Sequence, residues 1–138
     1  MMDLDSRKSK GRACLSMAIA YFGSNGYTVN IPLNDTQKYD LVVEKNSKFQ
    51  TVQCKFGDHK CANNDDAYSC SLRCIGAKGT YHGNVKDDNI DLLFCMRPDG
   101  IVYLIPVCEL DNHNAIRFTK TKIKFNGGFD SSKYIVIL

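Results

Sequence analysis

The stretch from Asp40 to Lys55 holds the side chains with the most chemistry to offer: a carboxylate at Asp40, then an amide and an ammonium two positions apart at Gln53 and Lys55. In an extended strand alternate residues share a face, so Gln53 and Lys55 project together while Val52, Cys54 and Phe56 point the other way. A hairpin that brought Asp40 back to the same end would gather a carboxylate, an amide oxygen and a cation. That set suits hydrolysis of a phosphodiester. Mg²⁺ takes oxygen ligands, keeps several waters, polarises phosphate and lowers the pKa of an attacking water. Asp40 would be its anionic ligand, with the Gln53 side-chain oxygen and the Cys54 main-chain carbonyl as neutral ones. Lys55 would orient the water and stabilise the charge that develops at phosphorus. Each residue also has a plainer reading: Asp40 as a turn residue at a strand entry, Gln53 and Lys55 as the solvent face of an edge strand.

The elements that must position these residues follow from pattern. Asp5 and Ser6 predict the cap of a helix over Arg7 to Phe22, in which Ala13, Met17, Ala20 and Tyr21 keep helical spacing and Gly23 gives a stop. Tyr27–Ile31 reads as a first strand ended by Pro32. Tyr39–Glu44 and Phe49–Phe56 read as antiparallel strands of a hairpin joined by Lys45–Lys48. The polar run from Gly57 to Tyr68 reads as an exposed loop, and Tyr68–Ile75 as extended. Ile90–Met96 and Ile101–Val107 flank Arg97-Pro-Asp-Gly100, a turn sequence, and their near-continuous apolarity predicts strands buried on both faces. Phe118–Phe125 alternates Lys120, Lys122 and Lys124 with Thr119, Thr121 and Ile123, so an extended form would present a basic face. Tyr134–Leu138 fits a terminal strand or a helix end.

At 138 residues, with 43% hydrophobic and 24% charged residues, the chain fits a single folded domain and neither a disordered nor a fibrous class. Its formal charge of +3 is too slight to announce nucleic-acid binding by itself. Seven cysteines cannot all pair within one chain, and no basic start leads into an apolar signal segment, which predicts a reduced intracellular setting, cytoplasmic or nucleoid-associated and not secreted. No apolar run approaches the roughly 20 residues of a membrane helix, so no membrane is expected as a partner. His59, Cys61, Cys70 and Cys74 form a loose candidate zinc set, with spacing wider than paired knuckles show. Cys54 and Cys95 read as small buried hydrophobes, and His82 and His113 as polar loop residues.

Lys38-Tyr-Asp-Leu-Val-Val-Glu44 followed by Val52-Gln-Cys-Lys55 resembles the PD-(D/E)XK nuclease superfamily. More closely it resembles the subgroup in which glutamine replaces the second acid, which includes homing endonucleases and relatives of junction resolvases. Gly26-Tyr27, Pro32, Ile90–Phe94 and Val102–Val107 extend the resemblance in the same order, over about residues 10–107. It implies an α/β, restriction-endonuclease-like core, a central mixed β-sheet flanked by helices. It also implies Mg²⁺-dependent endonucleolytic cleavage of double-stranded or branched DNA, with Mn²⁺ able to substitute and Asp40, Gln53 and Lys55 catalytic.

Homing-type, site-specific cutting is the expected activity. The alternatives are a structure-specific nuclease like a junction resolvase, a DNA-binding module that has lost catalysis, and a zinc-stabilised interaction protein. One departure stands out: many relatives carry a glutamate on the first helix, and Ala13–Met17 contains none, which leaves Glu44, Asp35 or a partner subunit's residue to compensate. Arg7, Lys8, Lys10, Arg12, Lys120, Lys122 and Lys124 would ordinarily be solvated surface, but beside a nuclease site they become phosphate contacts. Cutting both strands with one site per chain implies a homo-oligomer, a dimer or tetramer.

Overall fold

A computed structural model describes residues 6–34, 36–61, 66–75, 81–85, 89–110, 115–120 and 129–138. Helix α1 spans Arg7–Ser24 and begins at Ser6, whose hydroxyl accepts the Ser9 amide. Cys14, Ala18 and Phe22 recur every four residues and form its buried stripe. Its first turn has no acidic residue; Arg7, Lys8 and Lys10 lie there instead, at the positive pole of the helix dipole, where cations gain nothing for the helix itself.

Eleven strands follow among the described residues: β1 (Thr28–Asn30), β2 (Leu41–Lys45), β3 (Lys48–Phe56), β4 (His59–Lys60), β5 (Tyr68–Ser71), β6 (Arg73–Ile75), β7 (Tyr81–Asn84), β8 (Leu92–Met96), β9 (Val102–Pro106), β10 (Ala115–Phe118) and β11 (Ile135–Val136). Six of them make a mixed sheet in the order β1-β2-β3-β8-β9-β11. Only the central pair, β3 with β8, is parallel. The β2–β3 hairpin closes through Asn46 and Ser47, both with positive φ (53° and 64°), the backbone of a tight primed turn whose twist suits the strands it joins. Gly100, with φ of 86°, serves the β8–β9 turn.

Alternation along the central strands divides the core in two. Leu92, Phe94 and Met96 of β8, with Val52, Leu41 and Val43, pack on the α1 stripe. Leu93 and Cys95, with Tyr103 and Ile105, pack the opposite way against Leu72, Val85, Ile116 and Phe118. Every residue of β8 is buried, as its apolar run predicts. That second face is covered by strands: β10-β5-β4 form a small sheet and β6–β7 a two-stranded ribbon. The mixed α/β sheet is as expected, and among the described residues its helical flank is one α-helix on one face, with the small strands on the other.

Two other readings change, and the open choice at the C-terminus falls to a strand. The polar run after Gly57 contains β4, which pairs with β5. A strand, β10, precedes the Lys/Thr alternation, with Ile116 and Phe118 buried, and ends at Phe118; residues 121–128, with Lys122 and Lys124, lie outside the described set. The C-terminal segment is a 3₁₀ turn at Ser131–Tyr134 leading into β11. Arg97, read as part of a turn, is 1% exposed. Its guanidinium meets Asp99 at 2.9 Å, the Asp66 and Phe118 carbonyls at 2.9 and 3.2 Å, and the face of Tyr68. Among the described residues no helix is long and apolar enough to cross a membrane.

Gly57 leaves β3 under the ring of Phe118, where a Cβ would fall 2.7 and 2.8 Å from two ring carbons, while its amide bonds the Met96 carbonyl at 2.8 Å. Gly57→Ala should destabilise the fold by about 1–3 kcal/mol in urea denaturation. Combination with Phe118→Leu should cost less than the sum of the two single changes, since the two sites share one contact.

Candidate active site

β2 begins one residue after Asp40, and the Asp40 amide donates to the Val52 carbonyl at 2.8 Å, locking the strand entry onto β3. The Asp40 carboxylate then takes two protons on one oxygen: Oδ2 accepts the Cys54 amide at 2.7 Å and the Gln53 Nε2 amide at 2.9 Å. Gln53 Nε2 also lies 3.5 Å from the Cys54 carbonyl. Gln53 and Lys55 pair in register with Leu93 and Cys95 of β8, so both project from the face opposite α1. Cys54 packs on the α1 side. Asp40, Gln53 and Lys55 thus meet at one end of the sheet, next to the main-chain groups of Cys54.

Burial pushes the Asp40 carboxyl above its ordinary range, and the Cys54 amide and the Lys55 charge pull it only part of the way back. The pKa of the Cys54 thiol is raised well above its usual value, first by its hydrogen bond with Cys14, then by burial and by electrostatic interaction with Cys14 and the Asp40 carboxylate.

These donors fit a hard divalent cation of modest affinity. One carboxylate, one amide oxygen and one main-chain carbonyl are oxygen ligands, the preference of Mg²⁺, and leave room for the waters it retains. Neither hydrogen bond to Asp40 uses Oδ1, which leaves that oxygen to a ligand. The Gln53 Nε2 faces Asp40 and the Cys54 carbonyl. Presenting Oε1 requires the amide to turn over, exchanging a donated hydrogen bond for a coordinated cation. Among the described residues no three His, Cys, Asp or Glu side chains group to hold a metal, and the oxygens beside Asp40 are the neutral ones of Gln53 and Cys54. The zinc set accordingly finds no support among its described members, and Cys61 and Cys70 are free thiols.

The remaining candidates separate. Glu44 faces Phe49 across the hairpin and accepts the Ser47 amide at 3.0 Å, so it serves the turn and not the site; Asp35 lies outside the described residues. Lys10 is ion-paired with Asp58, three residues beyond Lys55, which places the basic start of α1 at the site's end of the sheet. Arg7, Lys8 and Arg12 are exposed. Lys120 instead joins Asp66 and Asp99 at 3.3 and 3.7 Å, in the cluster around Arg97. Cys14 is the residue that sequence reasoning passed over: it reaches the Lys55 main chain from below. The sequence reading drew the helical stripe through Ala13, Met17, Ala20 and Tyr21, whereas the buried residues are Cys14, Ala18 and Phe22, so neither the burial of Cys14 nor its contact was foreseen.

A mixed sheet carrying this cluster, with a single helix packed behind it, has a restriction-endonuclease-like fold. The bacterial homing endonuclease I-Ssp6803I superposes with a TM-score of 0.75 at 22% identity, over 95% of this chain and 89% of that one. Hjc, a Holliday junction resolvase from Archaeoglobus fulgidus, does so with a TM-score of 0.50 at 9% identity, over 80% and 84%. Residues 5–126 match the sequence profile of PD-(D/E)XK endonucleases, and the chain belongs to that family. Protein 5.3 of Escherichia phage T7 is 37% identical over 82 residues; the match spans 59% of this chain and 65% of that protein, just under two thirds of its length.

The raised Asp40 pKa has a definite sign. The folded state holds a proton more tightly than the unfolded chain, so without metal this group's contribution to stability falls as pH rises from its unfolded pKa through its raised folded one. Asp40→Asn should flatten that part of the pH–stability curve in urea titrations, while saturating divalent cation should reverse its slope in the wild type only.

Proposed function

We propose that this chain is a divalent-metal-dependent DNA endonuclease with Asp40, Gln53 and Lys55 as its catalytic residues. The observation that carries the proposal is the convergence of the Asp40 carboxylate, the Gln53 amide and the Cys54 amide within 2.9 Å contacts at a strand end, with Lys55 on the same face, in a chain of the PD-(D/E)XK endonuclease family.

The bound cation, Mg²⁺ or Mn²⁺, supplies Lewis acidity toward a phosphate oxygen and toward water. Asp40 holds it through a carboxylate whose deprotonation is favoured by that positive charge. Gln53 and the Cys54 carbonyl complete the protein's share of the ligands without adding charge that would repel the phosphate. Lys55 donates to the phosphate oxygen or to the water and offsets the negative charge that develops there. Arg7, Lys8, Lys10 and Arg12 at the start of α1 carry the flanking phosphates; their role is to position DNA, not to read it.

Site-specific cutting of duplex DNA, as in the homing endonuclease it resembles, is the preferred activity, supported by the fuller superposition on that structure. A homo-oligomer would bring two such sites to the two strands. The second reading, a DNA-binding module without catalysis, draws on the single carboxylate at the site.

Cleavage assays on duplex and four-way-junction DNA decide between them. The wild type should cut with Mg²⁺ or Mn²⁺ and not with chelator. Lys55→Ala and Asp40→Ala should lose about 10²–10³-fold in rate while remaining folded and binding DNA within a few-fold. Tight, salt-sensitive binding with no cleavage of either substrate by the wild type would favour the binding module.

A further inference from the structure

Cys14 is a buried residue on the face of α1 that packs on the sheet. Its thiol points at the seam between the two parallel strands, 3.3 Å from the Lys55 carbonyl oxygen and 3.7 Å from that of Phe94. Phe94 is the register partner of Cys54, so the thiol lies directly behind the residues that form the candidate site on the other face. The location matters because β3 ends at Phe56 and its continuation holds to β8 through the single Gly57 amide bond to Met96. The peptide that follows Lys55 lies within the last register pairs of that ladder, Lys55 with Cys95 and Phe56 with Met96, so the thiol adds a donor from the helix to the hold of the ladder itself.

That peptide and the Lys55 side chain share one Cα. A rotation that swings the carbonyl away from α1 also swings the ammonium across the site face. A donor fixed on the helix would resist that rotation, and burial keeps water from competing for the carbonyl. Alanine or valine at this position would pack but could not donate.

We propose that Cys14 is a positioning residue for Lys55: its thiol donates to the Lys55 carbonyl and thereby holds the lysine ammonium on the line of the phosphate. The inference rests on the reading of Asp40, Gln53 and Lys55 as a nuclease site. It assigns no contact between Cys14 and substrate or metal.

The test compares Cys14→Ser, which keeps a donor, with Cys14→Ala and Cys14→Val, which remove it at smaller and larger volume. With DNA and Mg²⁺, Cys14→Ala and Cys14→Val should lower kcat by about three- to ten-fold, the weight of one modest hydrogen bond, with KM changed less than about two-fold. Cys14→Ser should restore kcat to within about two-fold of wild type, whatever its effect on thermal stability. Unchanged kcat in both donor-free variants, or a serine variant as slow as alanine, would overturn the proposal in favour of simple packing.

An infrared S–H stretching band, assigned by its loss in Cys14→Ala, reads the contact without any activity. A hydrogen-bonded position is expected, and a free-thiol position overturns the contact. A wild type that cuts no DNA but shows the hydrogen-bonded band would instead count against the nuclease reading, and with it against a catalytic consequence of the contact.

Discussion

The hydrogen bond from the Cys54 amide to the Asp40 carboxylate is the interaction on which the site depends. It joins the entry of β2 to the stretch of β3 that carries Gln53 and Lys55, and it sets the carboxylate by backbone geometry, not by a loop. A 2.7 Å bond from a main-chain donor, backed by the Asp40 amide on the Val52 carbonyl, leaves the residue little freedom. Everything else is arranged around β3: the hairpin fixes its register against β2, the parallel partner β8 fixes it from the other side, and α1 supports it from below.

The same strand serves two environments through its alternation. Val52, Cys54 and Phe56 meet the helix, and Gln53 and Lys55 meet the open end of the opposite face. The acid is held there at a cost. Burial opposes its ionisation, and the Cys54 amide and the Lys55 charge compensate in part. On the proposed reading a cation would supply the compensation that is missing, and the Gln53 amide that donates to Asp40 would have to turn to ligate it.

Much of this was legible in the sequence because it depends on local pattern. Asp40, Gln53 and Lys55 follow from strand alternation and one hairpin, and α1, the β2–β3 pair and the β8–β9 pair lie within a few residues of their expected limits. The misses share a physical cause. β4 has two residues and exists only through pairing with β5, so no periodicity announces it. β10 was not foreseen because its alternation of exposed Ala115 and Arg117 with buried Ile116 and Phe118 is only four residues long. Arg97 looked like a turn residue, yet the adjacent Asp99 together with Asp66 and the Phe118 carbonyl, both distant in sequence, make it a buried clamp. The thiol of Cys14 finds the Lys55 carbonyl across 41 positions of chain, a pairing that only the packed helix creates.

Crystals of the wild-type chain soaked in Mn²⁺, with the anomalous signal located, test the central claim most directly. The expected result is one Mn²⁺ bound by Asp40, the Cys54 main-chain carbonyl and a Gln53 amide turned to present Oε1. Mn²⁺ bound elsewhere, or a Gln53 amide that still donates to Asp40 at saturating metal, would contradict it.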